Sequence, residues 1–156
     1  MRRLFALALL LSSLVTVRAA GAEFTLVRPQ WRDADSFDRI SEYLGGGENS
    51  GGQNILRTQL NLRAGFYFLV RVSHPAALAD AKFVLNIIRP DSPEPKTFTF
   101  PVTAPAGGAA FQLGLTGADW PGEKKAHPVA WKLALLAADG HVLAEQKSFL
   151  WEKPAK

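Results

Sequence analysis

The sequence predicts an antiparallel β-sandwich of about seven or eight strands with one short helix near its N-terminus. Three observations carry that expectation. Apolar and polar residues alternate with a period of two over most of the chain after Phe24. Spacers rich in proline and glycine separate the alternating stretches. An Asp-Gly pair stands between the last two of them, the signal of a hairpin. Short strands at such spacing bury their apolar faces by packing two sheets together.

The first 22 residues read as an export signal rather than as part of that fold. Met1-Arg2-Arg3 is a basic start, Leu4 to Val17 is an uncharged apolar run, and Ala19, Ala20, Gly21 and Ala22 supply small residues. The run is shorter than the roughly 18 residues a membrane-spanning helix needs, so cleavage is expected. Ala20-Gly21-Ala22 is the best processing site, with cleavage after Ala19 as the alternative. Arg2-Arg3-Leu4-Phe5 matches only part of a twin-arginine signal. Residues 23–156 are then one β-sandwich domain, periplasmic or extracellular, with no membrane anchor after cleavage. The chain contains no cysteine, so neither a disulfide nor a lipidated cysteine is available, and stability must come from the core.

Removing the signal alters the charge argument. The chain carries 18 basic and 14 acidic side chains, a net +4. Arg2, Arg3 and Arg18 leave with the signal, so 15 basic side chains face 14 acidic ones and the net charge falls to +1. Near-neutral, interspersed charge has no footprint for nucleic acid, and none is expected as a partner.

Along the remaining chain, "DSFDRISEYLG" departs from the period of two. Phe37, Ile40 and Leu44 fall at helical spacing, Asp35 or Ser36 can cap the start, and Gly45 can end it. A strand-like reading of this segment stays open. After it, "NILRTQLNL" alternates Leu56, Thr58, Leu60 and Leu62. "GFYFLVRVS" places Phe66, Phe68, Val70 and Val72 on one face. "AKFVLNIIRP" places Phe83, Leu85 and Ile87 on one face and Val84 and Ile88 on the other, as in a central strand covered on both sides. "KTFTFPV" alternates around Pro101, which argues for an edge. "AFQLGLT" and "VAWKLALL" alternate Phe111, Leu113, Leu115 and then Val129, Trp131, Leu133, Leu135.

Asp139-Gly140 predicts a two-residue turn with positive φ. The returning strand begins with Val142 and Ala144 in phase and ends with Phe149 and Trp151 out of phase. Either a bulge near Glu145 to Lys147 shifts the register, or both faces are covered at the end. The strand count and turn spacing resemble an immunoglobulin or fibronectin type III layout, with no family motif and no function implied.

The glycine-rich stretch Gly45, Gly46, Gly47, Glu48, Asn49, Ser50, Gly51, Gly52 looks at first like a phosphate loop. Such a loop needs a strand before it and a helix after it, because the helix N-terminus and loop N–H groups hold the phosphate. Here the order is helix, loop, strand. Gln53 and Asn54 stand where the motif needs Lys and a hydroxyl, and Ser50 stands at the third glycine of the dinucleotide pattern. The stretch is therefore expected to be an exposed connection, and its place on a rigid scaffold makes it a candidate partner loop.

Other chemistry is sparse. His74, His127 and His141 lie in turns, expected exposed, without metal-pair spacing. Asp33, Asp35 and Asp38 form a D-x-D-x-x-D cluster, but Asp38 and Leu44 occupy the glycine and glutamate positions of a calcium loop, so capping of a helix explains them better. No serine sits in a G-x-S-x-G turn. No cofactor, metal or catalytic residue is expected.

Trp31, Trp120 and Trp151 lie at strand ends or in "GADWPGEKKAHP", where exposed rings could stack on sugars, while Trp131 fits the core. The function expected is a non-catalytic exported module that binds a protein partner in the envelope or outside the cell. A carbohydrate-binding module using Trp31, Trp120 or Trp151 is the alternative, and a small hydrolase ranks last.

Overall fold

A computed structural model describes residues 21–38 and 54–152. The Gly45–Gly52 stretch, residues 1–20 of the expected signal and the segment beyond Asp38 of the expected helix lie outside the described residues.

The described chain is mostly β. Eight strands, β1 (Glu23–Arg32), β2 (Asn54–Arg57), β3 (Gly65–His74), β4 (Leu78–Ile88), β5 (Lys96–Ala104), β6 (Gly107–Thr116), β7 (Ala130–Leu136) and β8 (Val142–Lys147), form two four-stranded sheets. Their orders are β1-β3-β6-β2 and β5-β4-β7-β8. All pairings are antiparallel except β2 with β6, which is parallel and brings Leu56 opposite Leu113.

The alternation read from sequence becomes the interface between the sheets. Phe66, Phe68, Val70 and Val72 of β3 and Phe111, Leu113 and Leu115 of β6 face Phe83, Leu85 and Ile87 of β4 and Leu133 and Leu135 of β7 in one buried cluster. Aromatic rings lock the layers: Phe83 meets Phe111 edge-on at 5.0 Å and Phe68 meets Trp131 at 5.4 Å. Pro101 lies in β5, an edge strand, where a missing N–H costs no ladder bond between strands.

Several expectations need correction. The described part of "DSFDRISEYLG" holds only a 3₁₀ turn, Ala34–Phe37, and Asp38 is already extended, so the helix does not run through it. The short polar side chains at its start bond locally instead: Ser36 Oγ donates to the Asp33 carbonyl at 2.6 Å. β4 is central, but Val84, Asn86 and Ile88 on its outer face are only half-buried.

The hairpin joining β7 and β8 is present, but its turn has three residues. The Gly140 N–H bonds the Ala137 carbonyl, and the Ala137 N–H bonds the His141 carbonyl, both at 2.9 Å. Only Gly140 has positive φ there, at 90°, so the turn is the type I form closed by a left-handed glycine. The β8 register shift falls at Leu143, between the pairs Leu135–Ala144 and Leu136–Val142, rather than at Glu145 to Lys147. Phe149 and Trp151 fall out of phase because the strand has ended: they belong to a one-turn helix, α1 (Phe149–Glu152).

Candidate functional site

At one end of the sandwich β1, β2, β4, β6 and β8 finish and β3, β5 and β7 begin, so most of the long connections gather there. Two polar hubs shape that end. Thr116, the fully buried last residue of β6, accepts the Gln59 N–H at its Oγ1 and donates to the Gln59 carbonyl, both at 3.0 Å. Its own N–H bonds Thr58 Oγ1 at 3.1 Å. The segment after β2 is thus tied to the sheet through its backbone, and its apolar side chains are turned out: Leu60 is 79% exposed and Leu62 45%. The alternation of "NILRTQLNL" does not continue as a strand, which ends at Arg57.

Arg89 is the second hub. Its side chain is 6% exposed, and Nη1 donates to the Asp119 carbonyl at 2.9 Å while Nη2 pairs with Asp91 at 2.9 Å. The guanidinium therefore holds the 3₁₀ turn Gly117–Asp119 against the β4–β5 connection. Trp120 follows that turn, its ring 4.6 Å from Phe66 and 4% exposed. The rest of "GADWPGEKKAHP" is tethered by Lys124, which pairs with Asp33 at 2.6 Å, and by His127, edge-on to Phe66 at 6.0 Å.

A cleft of about 560 Å³ opens between these loops, lined by Trp31, Ala34, Asn61, Leu62, Arg63 and Trp120 among others. Trp31 and Trp120, far apart in sequence, thus come to one cleft. Trp31 is half-buried, with its indole N–H donated to Asp33 at 3.0 Å. Trp120 supplies packing rather than an exposed ring. Trp151 is half-buried on α1, which packs on β7, and does not line the cleft.

Beside the cleft, a cation-rich cluster covers the outer face of the β1-β3-β6-β2 sheet. The Arg32 guanidinium stacks 3.8 Å from the Phe37 ring centre, with Arg57 at 4.8 Å. Phe37 packs on Tyr67 at 5.0 Å. The Tyr67 hydroxyl accepts from Arg57 Nε at 2.8 Å and donates to the Arg63 carbonyl at 2.5 Å. Arg63 pairs with Asp38 at 2.5 Å, and Arg32 donates to the Gln112 side-chain carbonyl.

Two of the three clustered aspartates are therefore taken by separate partners. Asp33 serves Lys124 and Trp31, whose hydrogen bonds hold its carboxyl below the ordinary aspartate value, and Asp38 serves Arg63. Among the described residues no three His, Cys, Asp or Glu side chains come together as a metal site.

The histidines divide. His127 and His141 are exposed, and His141 contacts Asp139, but His74 is 2% exposed, contrary to the expected surface position. It is the last residue of β3 and continues the inward phase of Val70 and Val72, which "FLVRVSH" shows on inspection. Leu60, Leu62 and Arg89 are less legible: no local pattern marks a loop leucine as exposed or an arginine as buried. No protein-family model, no curated protein and no solved structure matches this chain.

Proposed function

We propose that this chain is an exported, non-catalytic binding module that engages a protein partner, in the envelope or outside the cell, through the loops at the Arg89 end of the sandwich. One observation carries the reading. Leu60, Leu62 and Val129, between 45 and 79% exposed, emerge from connections at that end, and Leu150, 51% exposed, stands on α1 just after β8. Exposed apolar groups held on a rigid scaffold are what a protein interface needs at its centre. Export itself rests on the basic, apolar and small-residue order of residues 1–22.

The finer architecture belongs to the same reading. The orders β1-β3-β6 and β5-β4-β7-β8 correspond to an A-B-E sheet facing a C′-C-F-G sheet, which supports an immunoglobulin or fibronectin type III relationship of layout. β2 takes the place of a further strand beside β6 but runs parallel to it, a departure from that pattern.

A photo-crosslinking amino acid at position 60, with a control at exposed Thr103 near the opposite end, tests the reading in cells. One dominant adduct from position 60, absent from position 103 and weakened at least tenfold by Leu62→Asp, supports it. Adducts from both positions alike, or none with folded protein, overturn it.

A second reading, sugar binding in the cleft, draws on the convergence of Trp31, Asn61 and Arg63 there. Its test is the change in tryptophan fluorescence with a polysaccharide panel. A response that survives Trp31→Ala counts against the cleft.

A further inference from the structure

We propose, resting on the functional reading above, that the protein partner docks as an extended segment that adds a strand to the free edge of β5, laying apolar side chains and one Lys or Arg into the seam between β5 and β2.

Hydrogen-bond phase in the β5-β4-β7-β8 sheet fixes which way the β5 backbone points. The Ser148 N–H bonds the Trp131 carbonyl and the Ala137 N–H bonds the His141 carbonyl, both at 2.9 Å. Odd-numbered residues of β7 therefore turn their backbone groups toward β8, and even-numbered ones turn theirs toward β4. The register carries that phase across the sheet, since Leu133 stands opposite Leu85 and Leu85 opposite Phe98. Leu85 thus exchanges its bonds with Phe98, which leaves Thr97, Thr99, Pro101 and Thr103 with backbone groups pointing out of the sheet. Pro101 sits in the one phase where its missing N–H costs no ladder bond. β5 pairs with β4 alone, and among the described residues nothing bonds the outward backbone of Thr97 or Thr99.

A groove of about 430 Å³ runs along this edge. Consecutive residues from Thr97 to Pro101 line it, so it holds the strand edge itself rather than one face of the strand. Thr97, Thr99 and Pro101 are exposed, which leaves the outward backbone within reach. Across the groove stand Leu56 of β2 and Leu60, whose side chains make its apolar wall together with Phe98.

A row of outward donors and acceptors at strand spacing is matched by another extended backbone, and the alternate side chains of that backbone enter the neighbouring groove. The other edges are guarded against such pairing. β1 carries a register shift between Phe24 and Leu26, β2 has four residues, and β8 lies against β1. β5 stays in register from Lys96 to Val102. It begins at the Arg89 end, so Thr97 and Thr99 lie on the Leu60 side of Pro101, and the added strand runs from the exposed leucines as far as that proline. Charge selects the segment further. Asp119 lines the same groove, and its carboxylate meets no side-chain partner among the described residues, so a Lys or Arg on the segment complements it.

The test uses the full chain in cells, with the photo-crosslinking amino acid at position 60. Thr99→Pro removes only an outward N–H, so it should leave circular dichroism and thermal midpoint unchanged while the position-60 adduct falls about tenfold. Thr103→Pro makes the same change in the same strand beyond Pro101 and outside the groove, and should leave the adduct as it was. Asp119→Asn should lower it about threefold. In the purified complex the Thr97 and Thr99 amides should exchange hydrogen about tenfold more slowly than in the chain alone. An adduct that survives Thr99→Pro, or unchanged exchange at Thr97 and Thr99, sinks the added strand while leaving partner binding by the loops in place. No adduct from the folded parent chain sinks both. An adduct of two copies of this chain makes the occupant a second copy and overturns the proposal. Should Thr99→Pro fail to fold, the exchange rates decide the question.

Discussion

The Tyr67 ring lies flat across Gly114, its cross-strand partner on the outer face of the β1-β3-β6-β2 sheet: a Cβ at Gly114 would sit 2.7 Å from Tyr67 Cζ, inside contact distance of three ring carbons. Tyr67 is fully buried although it points away from the core between the sheets, because Phe37, Arg57 and the Arg63 backbone close over it.

Gly114→Ala should therefore lower stability by about 2 kcal/mol, the usual order for overpacking, by pushing Tyr67 off its two hydrogen bonds. Gly108→Ala on the same strand, whose nearest neighbour would be 3.7 Å away, should change stability by less than about 0.5 kcal/mol. Denaturant midpoints of the two variants check the contrast, and equal midpoints would mean that Tyr67 moves aside freely.

Arg89→Met should cost about 2–3 kcal/mol, since it keeps much of the volume but leaves the Asp119 and Ala118 carbonyls without their charged donor. Asp91→Asn should cost no more than about 0.5 kcal/mol, because that carboxylate is 42% exposed. The expected signature is local. Trp120, released from Phe66, should become accessible to a soluble fluorescence quencher in Arg89→Met and stay shielded in Asp91→Asn.

Acid should weaken the β7–β8 edge. Burial pushes the Glu145 carboxyl upward, but hydrogen bonds from Lys132 and Lys147 outweigh it and hold the group below the ordinary glutamate value of 4.5. A lowered carboxyl pKa in the folded state means stability that is present above pH 4.5 and lost as pH falls through the folded value. Denaturant titrations at about pH 6.5 and about pH 3, on either side of the ordinary value, should show a smaller acid loss in Glu145→Gln than in the parent. An identical loss would remove this contact from the acid response.

Much of the fold was legible because a pleated strand alternates its side chains whatever its neighbours are. Phe66, Phe68, Val70 and Val72, or Phe83, Leu85 and Ile87, announce both strand and core face in a few residues, and Pro101 announces an edge. The Asp139-Gly140 pair announced a hairpin, but turn length depends on which carbonyl captures the Gly140 N–H, and that was Ala137. The candidate site was hardly legible at all. Trp31 and Trp120 stand 89 residues apart in sequence (120 − 31) and only the fold brings them to one cleft.

The sequence by itself determined the strands, their inward faces and the reliance on a core without disulfides, because backbone pleat and side-chain polarity are local properties. Tertiary structure alone decided that β2 runs parallel to β6, that Thr116 turns Leu60 and Leu62 outward, and that Arg89 and Tyr67 are buried. Each of these depends on which distant groups satisfy a hydrogen bond or fill a volume, and residue order does not state those partners.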